Sequence, residues 1–133
     1  MLATDAAPEV RRERLRRGVA LYKGQLFDAQ DASWLVSARQ ELQKSVREAV
    51  RELGRYTERM EDWGRAIELY EKGLAVDEVA EELYRRLMVC HEQLGHHADA
   101  IITYERCRQL LDERLGVDPS RVTQALAEDI RHH

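Results

Sequence analysis

Residues 66–74 read Ala-Ile-Glu-Leu-Tyr-Glu-Lys-Gly-Leu, and residues 100–108 read Ala-Ile-Ile-Thr-Tyr-Glu-Arg-Cys-Arg. Ala66-Ile67 returns as Ala100-Ile101, Tyr70-Glu71 returns as Tyr104-Glu105, and Leu53 returns as Leu87, each 34 residues on. Apolar residues spaced by threes and fours mark each copy as one face of a helix. A small residue lets a second helix approach closely, and an aromatic ring one turn later fills the gap beside it. Ala66, Ala100 and Gly73 are the small positions; Tyr70 and Tyr104 are the plugs.

Working outward, the spacing predicts helices over Trp63–Val76, Val79–Leu94 and His97–Leu115, with Gly95 and Gly116 as left-handed caps closing the last two. A further helix begins after Asp118-Pro119-Ser120. Upstream, Leu35, Ala38, Leu42, Val46, Ala49, Leu53, Tyr56 and Met60 form the apolar series of one long helix from Trp34 to about Met60, capped by Asp31 or Ser33. Gly54 interrupts that series. A mid-helix glycine costs about 1 kcal/mol relative to alanine, so close packing of a neighbouring helix is expected there. Val10, Leu15, Val19 and Leu21 suit a first helix from Pro8 to Tyr22, ended by Gly24, with a connector over Gln25–Asp31 that tucks Leu26 and Phe27 inward. No strand-like alternation occurs. Hairpins repeating every 34 residues have the tetratricopeptide period. The expected fold is all-α: tetratricopeptide-like hairpins stacked in a right-handed array, about six helices in a single domain over residues 1–133, with 1–8 disordered.

The bulk numbers agree. A chain of 133 residues fits one domain, and 44% hydrophobic with 35% charged residues describes a folded core under a well-solvated exterior. Two prolines, Pro8 and Pro119, leave the stretch between them free for long helices. A net charge of −4 argues against nucleic acid as the chief ligand. Cys90 and Cys107 make no disulfide framework, no secretory signal is present, and no apolar run approaches the roughly 20 residues needed to cross a bilayer. A cytoplasmic setting is expected, with no membrane partner.

The run from Leu15 to Ile130 resembles the bacterial transcriptional activator domain, the helical-repeat module of antibiotic regulatory proteins of the SARP type. The resemblance is carried by Leu21-Tyr22-Lys23-Gly24-Gln25-Leu26, by Trp34 with Arg39 and Leu42, by Ala66-Ile67-Glu68-Leu69-Tyr70, and by Glu82-Leu83-Tyr84-Arg85-Arg86-Leu87-Met88. Its best stretch is Ala100 to Cys107, continuing through Leu110-Leu111 to Leu115-Gly116-Val117-Asp118-Pro119-Ser120. One departure is Glu78, which stands where a proline commonly follows a repeat's second helix. The resemblance implies a regulatory module that follows a winged helix-turn-helix domain. The residues before Leu15 are too few to hold one, so a fragment or a stand-alone relative is expected.

Other motifs have bland readings. Arg11, Arg12, Arg14, Arg16 and Arg17 spread around a helix and suit a solvated face or an interdomain contact better than phosphate contact. Cys90, His91, His96, His97 and Cys107 lack paired zinc-finger spacing. Carboxylates sit beside Arg and Lys on helix surfaces, and no phosphate loop or activated nucleophile is recognisable. Accordingly no catalytic residue, cofactor or metal is expected. Trp34 and Trp63 read as packing at the starts of their helices, with binding hot spots the alternative. The Leu35-Leu42-Ala49-Tyr56 stripe reads as buried within the chain rather than paired in a dimer.

With Arg47 opening the first repeat and Glu81 the second, the groove positions become Glu48, Arg51, Arg55, Glu58, Glu82, Arg85, Val89, Glu92 and Gln93. Such a mixed-charge groove suits a protein partner: the chain's own DNA-binding domain, a second copy, or another regulator. Arg51, Arg55 and Arg85 are expected to supply the charge-assisted contacts. No sequence-specific nucleic-acid binding by this domain is expected. The functional expectation is a regulatory interaction and self-association module of a transcriptional activator; the alternative is a general tetratricopeptide scaffold unrelated to transcription.

Overall fold

The computed structural model describes residues 29–132, with side chains from Asp31 onward. It contains five helices among those residues and no strand: α1 (Ala29–Arg59), α2 (Trp63–Val76), α3 (Glu81–Gln93), α4 (His97–Leu115) and α5 (Arg121–Arg131). The helix expected over Pro8 to Tyr22, the arginine cluster it carries and the inward-tucked Leu26 and Phe27 lie outside the described residues. The chain divides into two compact units, Met1–Val46 and Arg47–His133, and α1 runs through the division. In the first unit the described part of α1 is already helical at Ala29, so Asp31 sits in the first turn and neither it nor Ser33 is the cap expected of them. Trp34 is 45% exposed there and not packed down.

The second unit is built around α3, which packs against α2, α4 and α5. Its Leu83, Tyr84, Leu87, Met88 and Cys90 are buried, and each such apolar side chain taken from water contributes about 1.5–3 kcal/mol. The small and aromatic positions stand where the repeat required them. Ala66 and Ala100 are 0% exposed, and Tyr70 and Tyr104 are buried. Tyr104 joins a cluster with Met88, Ala100, Ala127 and Ile130, while Tyr70 lies on Gly54, the residue 34 positions before Met88. A Cβ on Gly54 would fall 2.5 Å from Cε1 and Cζ of the Tyr70 ring, and one on Gly73 would meet Leu83 Cδ1 at 2.8 Å. Both glycines therefore mark close approaches.

That contact reshapes the second half of α1. The apolar series predicted Leu53, Tyr56 and Met60 as its buried face, yet all three are more than half exposed. Val50, Gly54 and Thr57 are buried instead. The face that packs is the one where the end of the Tyr70 ring comes against the backbone at Gly54, and hydrophobicity alone misplaces it. Leu53 and Leu87 share a repeat position but not an environment, since Leu87 is 0% exposed.

The two helix–helix turns repeat atom for atom. After α1, Glu61 N donates to Glu58 O at 2.8 Å and Asp62 N to Thr57 O at 3.1 Å; after α3, Gly95 N donates to Glu92 O at 2.9 Å and His96 N to His91 O at 2.8 Å. Every pair is displaced by 34 positions. Both turns need a left-handed residue, met by Glu61 at φ 58° and Gly95 at φ 76°. This is the six-to-one bonding that closes helices and satisfies their last carbonyls. The loop from Gly116, with φ 65°, leads to Ser120, which caps α5 by accepting from Thr123 N.

At the α3–α5 contact the Glu81 carboxylate accepts from Ser120 N at 2.8 Å, from Ser120 Oγ at 2.6 Å and from the Thr123 hydroxyl. Burial alone would raise its pKa, but these bonds and Arg85 outweigh burial and hold it below the usual glutamate range. A depressed carboxylate contributes stability above its unfolded value that is lost as pH falls through its folded value. Stability should therefore decline below about pH 4, and Glu81→Gln should flatten that part of the urea-denaturation profile. Gly54→Ala should lower stability by about 1–2 kcal/mol through overpacking, although helix propensity alone favours it. Gly64→Ala, with nothing within 4 Å of the new Cβ, should raise stability by about 0.5 kcal/mol.

Candidate partner-binding groove

Where α2 turns back from α1 and α3 crosses them, a groove of about 440 Å³ opens, lined by Arg51, Arg55, Glu58, Arg59, Trp63, Tyr70, Glu82, Leu83 and Arg86. Four of the nine expected groove residues line it: Arg51, Arg55, Glu58 and Glu82. The other five stand elsewhere. Arg85 turns toward α5, where Nη1 donates to Thr123 Oγ1 at 3.0 Å and lies 3.6 Å from Glu81. Glu92 faces His97 Nδ1 at 3.1 Å across the α3–α4 turn. Val89 and Glu48 are half-buried, and Gln93 is exposed at the end of α3.

The groove floor is a hydrogen-bonded chain of three side chains from three helices. Tyr70 donates its hydroxyl to the Glu58 carboxylate, and Arg86 grips the same carboxylate with both Nε, at 3.0 Å, and Nη2. Burial, then the bond to Glu58, raises the Tyr70 pKa, so the phenol remains the donor. The bond to Glu58 raises that of Arg86. On the groove wall Arg51 Nε donates to Glu82 Oε1 at 2.9 Å, with Nη2 at 2.7 Å from the same oxygen.

The two glutamates of the lining are thus each already matched to an arginine. Four arginines against two glutamates leave two positive charges over, on Arg55 and Arg59. Neither has a hydrogen-bond or ion-pair partner among the described residues. They lie four residues apart on α1 and both are exposed. Trp63, half-buried at the first position of α2, supplies an aromatic wall beside them.

Sequence reasoning missed Arg59, Trp63, Tyr70, Leu83 and Arg86 as lining residues. For Arg86 the error is one residue, about 100° around α3, and two adjacent arginines give no sign of which faces inward. Trp63 carried a usable signal, a large aromatic at a helix start between two repeats.

The remaining chemistry is sparse. Cys90 and Cys107 are buried free thiols whose pKa burial pushes up to about 12, which leaves them unreactive as thiolates at neutral pH. Among the described residues one set, His91, His96 and Asp99 at the α3–α4 turn, brings three metal-type ligand atoms together. Leu53, Tyr56, Met60 and Leu69 line a second depression, of about 510 Å³, on another face. None of the described helices is long and apolar enough to cross a membrane.

Comparison with curated proteins and with solved structures returns no match. Comparison with family models does: the bacterial transcriptional activator domain matches residues 1–131. That span holds every helix described above, both copies of the repeat and the groove between them. The chain belongs to the bacterial transcriptional activator domain family.

Proposed function

We propose that this domain is a non-enzymatic regulatory module that binds a protein partner through the groove between α1, α2 and α3, and that the partner presents an acidic segment there. The family supplies the transcriptional setting. The observation that carries the reading is the pair of guanidinium groups, Arg55 and Arg59, left without a partner among the described residues and standing beside Trp63. A groove whose own carboxylates are all engaged attracts carboxylates from outside. Arginine suits that role because its planar fork binds a carboxylate with two parallel bonds. Tryptophan and arginine are also among the residues enriched at binding hot spots. A general scaffold unrelated to transcription has no observation in its favour once the family is considered.

A second reading, self-association, rests on a different face. Leu53, Tyr56 and Met60 form an exposed apolar row on α1, and contiguous exposed apolar surface marks contact sites. Light scattering on the chain and on its Tyr56→Glu variant decides it: a dimer that the substitution dissociates supports self-association there, and a monomeric parent removes it.

The groove is tested by titrating the chain with a glutamate-rich helical peptide and with a lysine-rich control. The double variant Arg55→Glu/Arg59→Glu should bind the acidic peptide at least about ten-fold more weakly, about 1.4 kcal/mol. Its unfolding temperature should fall only slightly, because neither side chain bonds another among the described residues and the new charge at the end of α1 costs about 0.3–1 kcal/mol. Arg85→Glu, by contrast, should lower the unfolding temperature, since it breaks the contact with Thr123 and repels Glu81. Equal affinity of the double variant for the acidic peptide, or preference of the parent for the lysine-rich one, contradicts the reading. Displacement of the acidic peptide by duplex DNA at the same site would point to nucleic acid instead.

A further inference from the structure

The internal repeat allows one hairpin turn to be read against the other, and the two differ in a telling way. In the α1–α2 turn the inward position is Thr57, whose hydroxyl donates to Leu53 O at 2.7 Å. The helix-capping position is Asp62, whose carboxylate accepts from Arg65 N. Both residues are satisfied by the turn they sit in. In the α3–α4 turn the equivalent residues, 34 positions on, are His91 and His96. Neither does its counterpart's work. His91 Nδ1 is buried and without a hydrogen-bond partner, and His96 caps α4 with no side-chain bond. Asp99, in the first turn of α4 where the other hairpin has Arg65, completes the set.

From this the geometry points to a divalent-metal site on the α3–α4 turn, formed by His91, His96 and Asp99 and suited to zinc. One ligand atom from each residue falls within 4.8 Å of the others, with His96 Nδ1 3.9 Å from Asp99 Oδ2. Ligands about 2 Å from a tetrahedral zinc stand about 3.3 Å from one another, so the three heads need only a small inward rotation. His96 and Asp99 are exposed and free to make it. The backbone beneath them is set in advance: the bond from His96 N to His91 O, at 2.8 Å, and the left-handed Gly95 hold the two imidazoles on one side of the turn. The ring planes are tilted by 37° with centroids 6.3 Å apart. Two imidazoles and one carboxylate suit zinc and its neighbours better than magnesium or calcium, which prefer all-oxygen shells. Three protein ligands leave a fourth position for water or for a group from another molecule. Bound there, the metal would clamp the end of α3 to the start of α4.

The test uses the full chain and zinc alone, read by calorimetric titration and by thermal unfolding. Expected are one zinc per chain at low-micromolar concentration and a rise in unfolding temperature. His96→Gln and Asp99→Asn, both at exposed positions and both conservative in shape, should each weaken binding at least about ten-fold and abolish the thermal shift. Replacing His132 and His133 should leave the one-to-one site intact. The inference is overturned if zinc does not bind at those concentrations, if the His96 and Asp99 variants bind it as tightly as the parent, or if binding disappears with the terminal histidines.

Discussion

The second unit depends on a ring lying on a glycine. Tyr70 reaches Gly54 because Gly54 has no Cβ, and from that position its hydroxyl meets Glu58 one turn further along α1. Glu58 in turn receives Arg86 from α3. Three helices are thereby joined through one carboxylate that is only 10% exposed. A buried carboxylate is costly unless its lone pairs are filled, and here a phenol and a guanidinium fill them. The groove exists because this junction holds α3 at a set distance from α1, and its positive balance is the surplus of Arg55 and Arg59 once Glu58 and Glu82 are paired with Arg86 and Arg51.

The same logic recurs on the opposite edges of the helices. Arg106 donates to both oxygens of Glu71, at 2.7 and 3.0 Å, and lies 5.4 Å from the centre of the Tyr84 ring. Arg131 reaches Glu105, 34 positions after Glu71, at 3.2 Å, and lies 5.4 Å from the Tyr104 ring. Each pair is half exposed and contributes little alone. Their placement matters more, because the repeated glutamate ties α2 to α4 through Arg106 and α4 to α5 through Arg131. Repeat proteins gain their cohesion from such nearest-neighbour terms.

Much of this was legible in the residues. Trp63–Val76 and His97–Leu115 are bounded in the structure as their patterns predict, because clear apolar periodicity and, for the second, the αL glycine at Gly116 act within a turn of the chain. The buried alanines and tyrosines were legible because a repeat compares the chain with itself. The face of α1 was not. Leu53, Tyr56 and Met60 outweigh Val50, Gly54 and Thr57 in hydrophobicity, and only the position of Tyr70, a tertiary fact, reverses the choice. The groove was half legible for a related reason: Arg51, Arg55, Glu58 and Glu82 follow from the repeat register, while the turn of Arg85 toward Thr123 depends on where α5 docks. Likewise, nothing in the spacing of His91, His96 and Asp99 announces a cluster until the six-to-one turn folds them together.

Tyr70 and Glu58 act as one unit on which the α1–α2–α3 junction rests. A double-mutant cycle with Tyr70→Phe and Glu58→Ala, measured by urea denaturation, tests it most directly. Strong non-additivity is expected, with a coupling of about 1 kcal/mol or more, as befits groups sharing one hydrogen-bond network. Losses that add to within about 0.3 kcal/mol would mean that the two side chains stabilise the fold independently, and the junction would not be what holds the groove open.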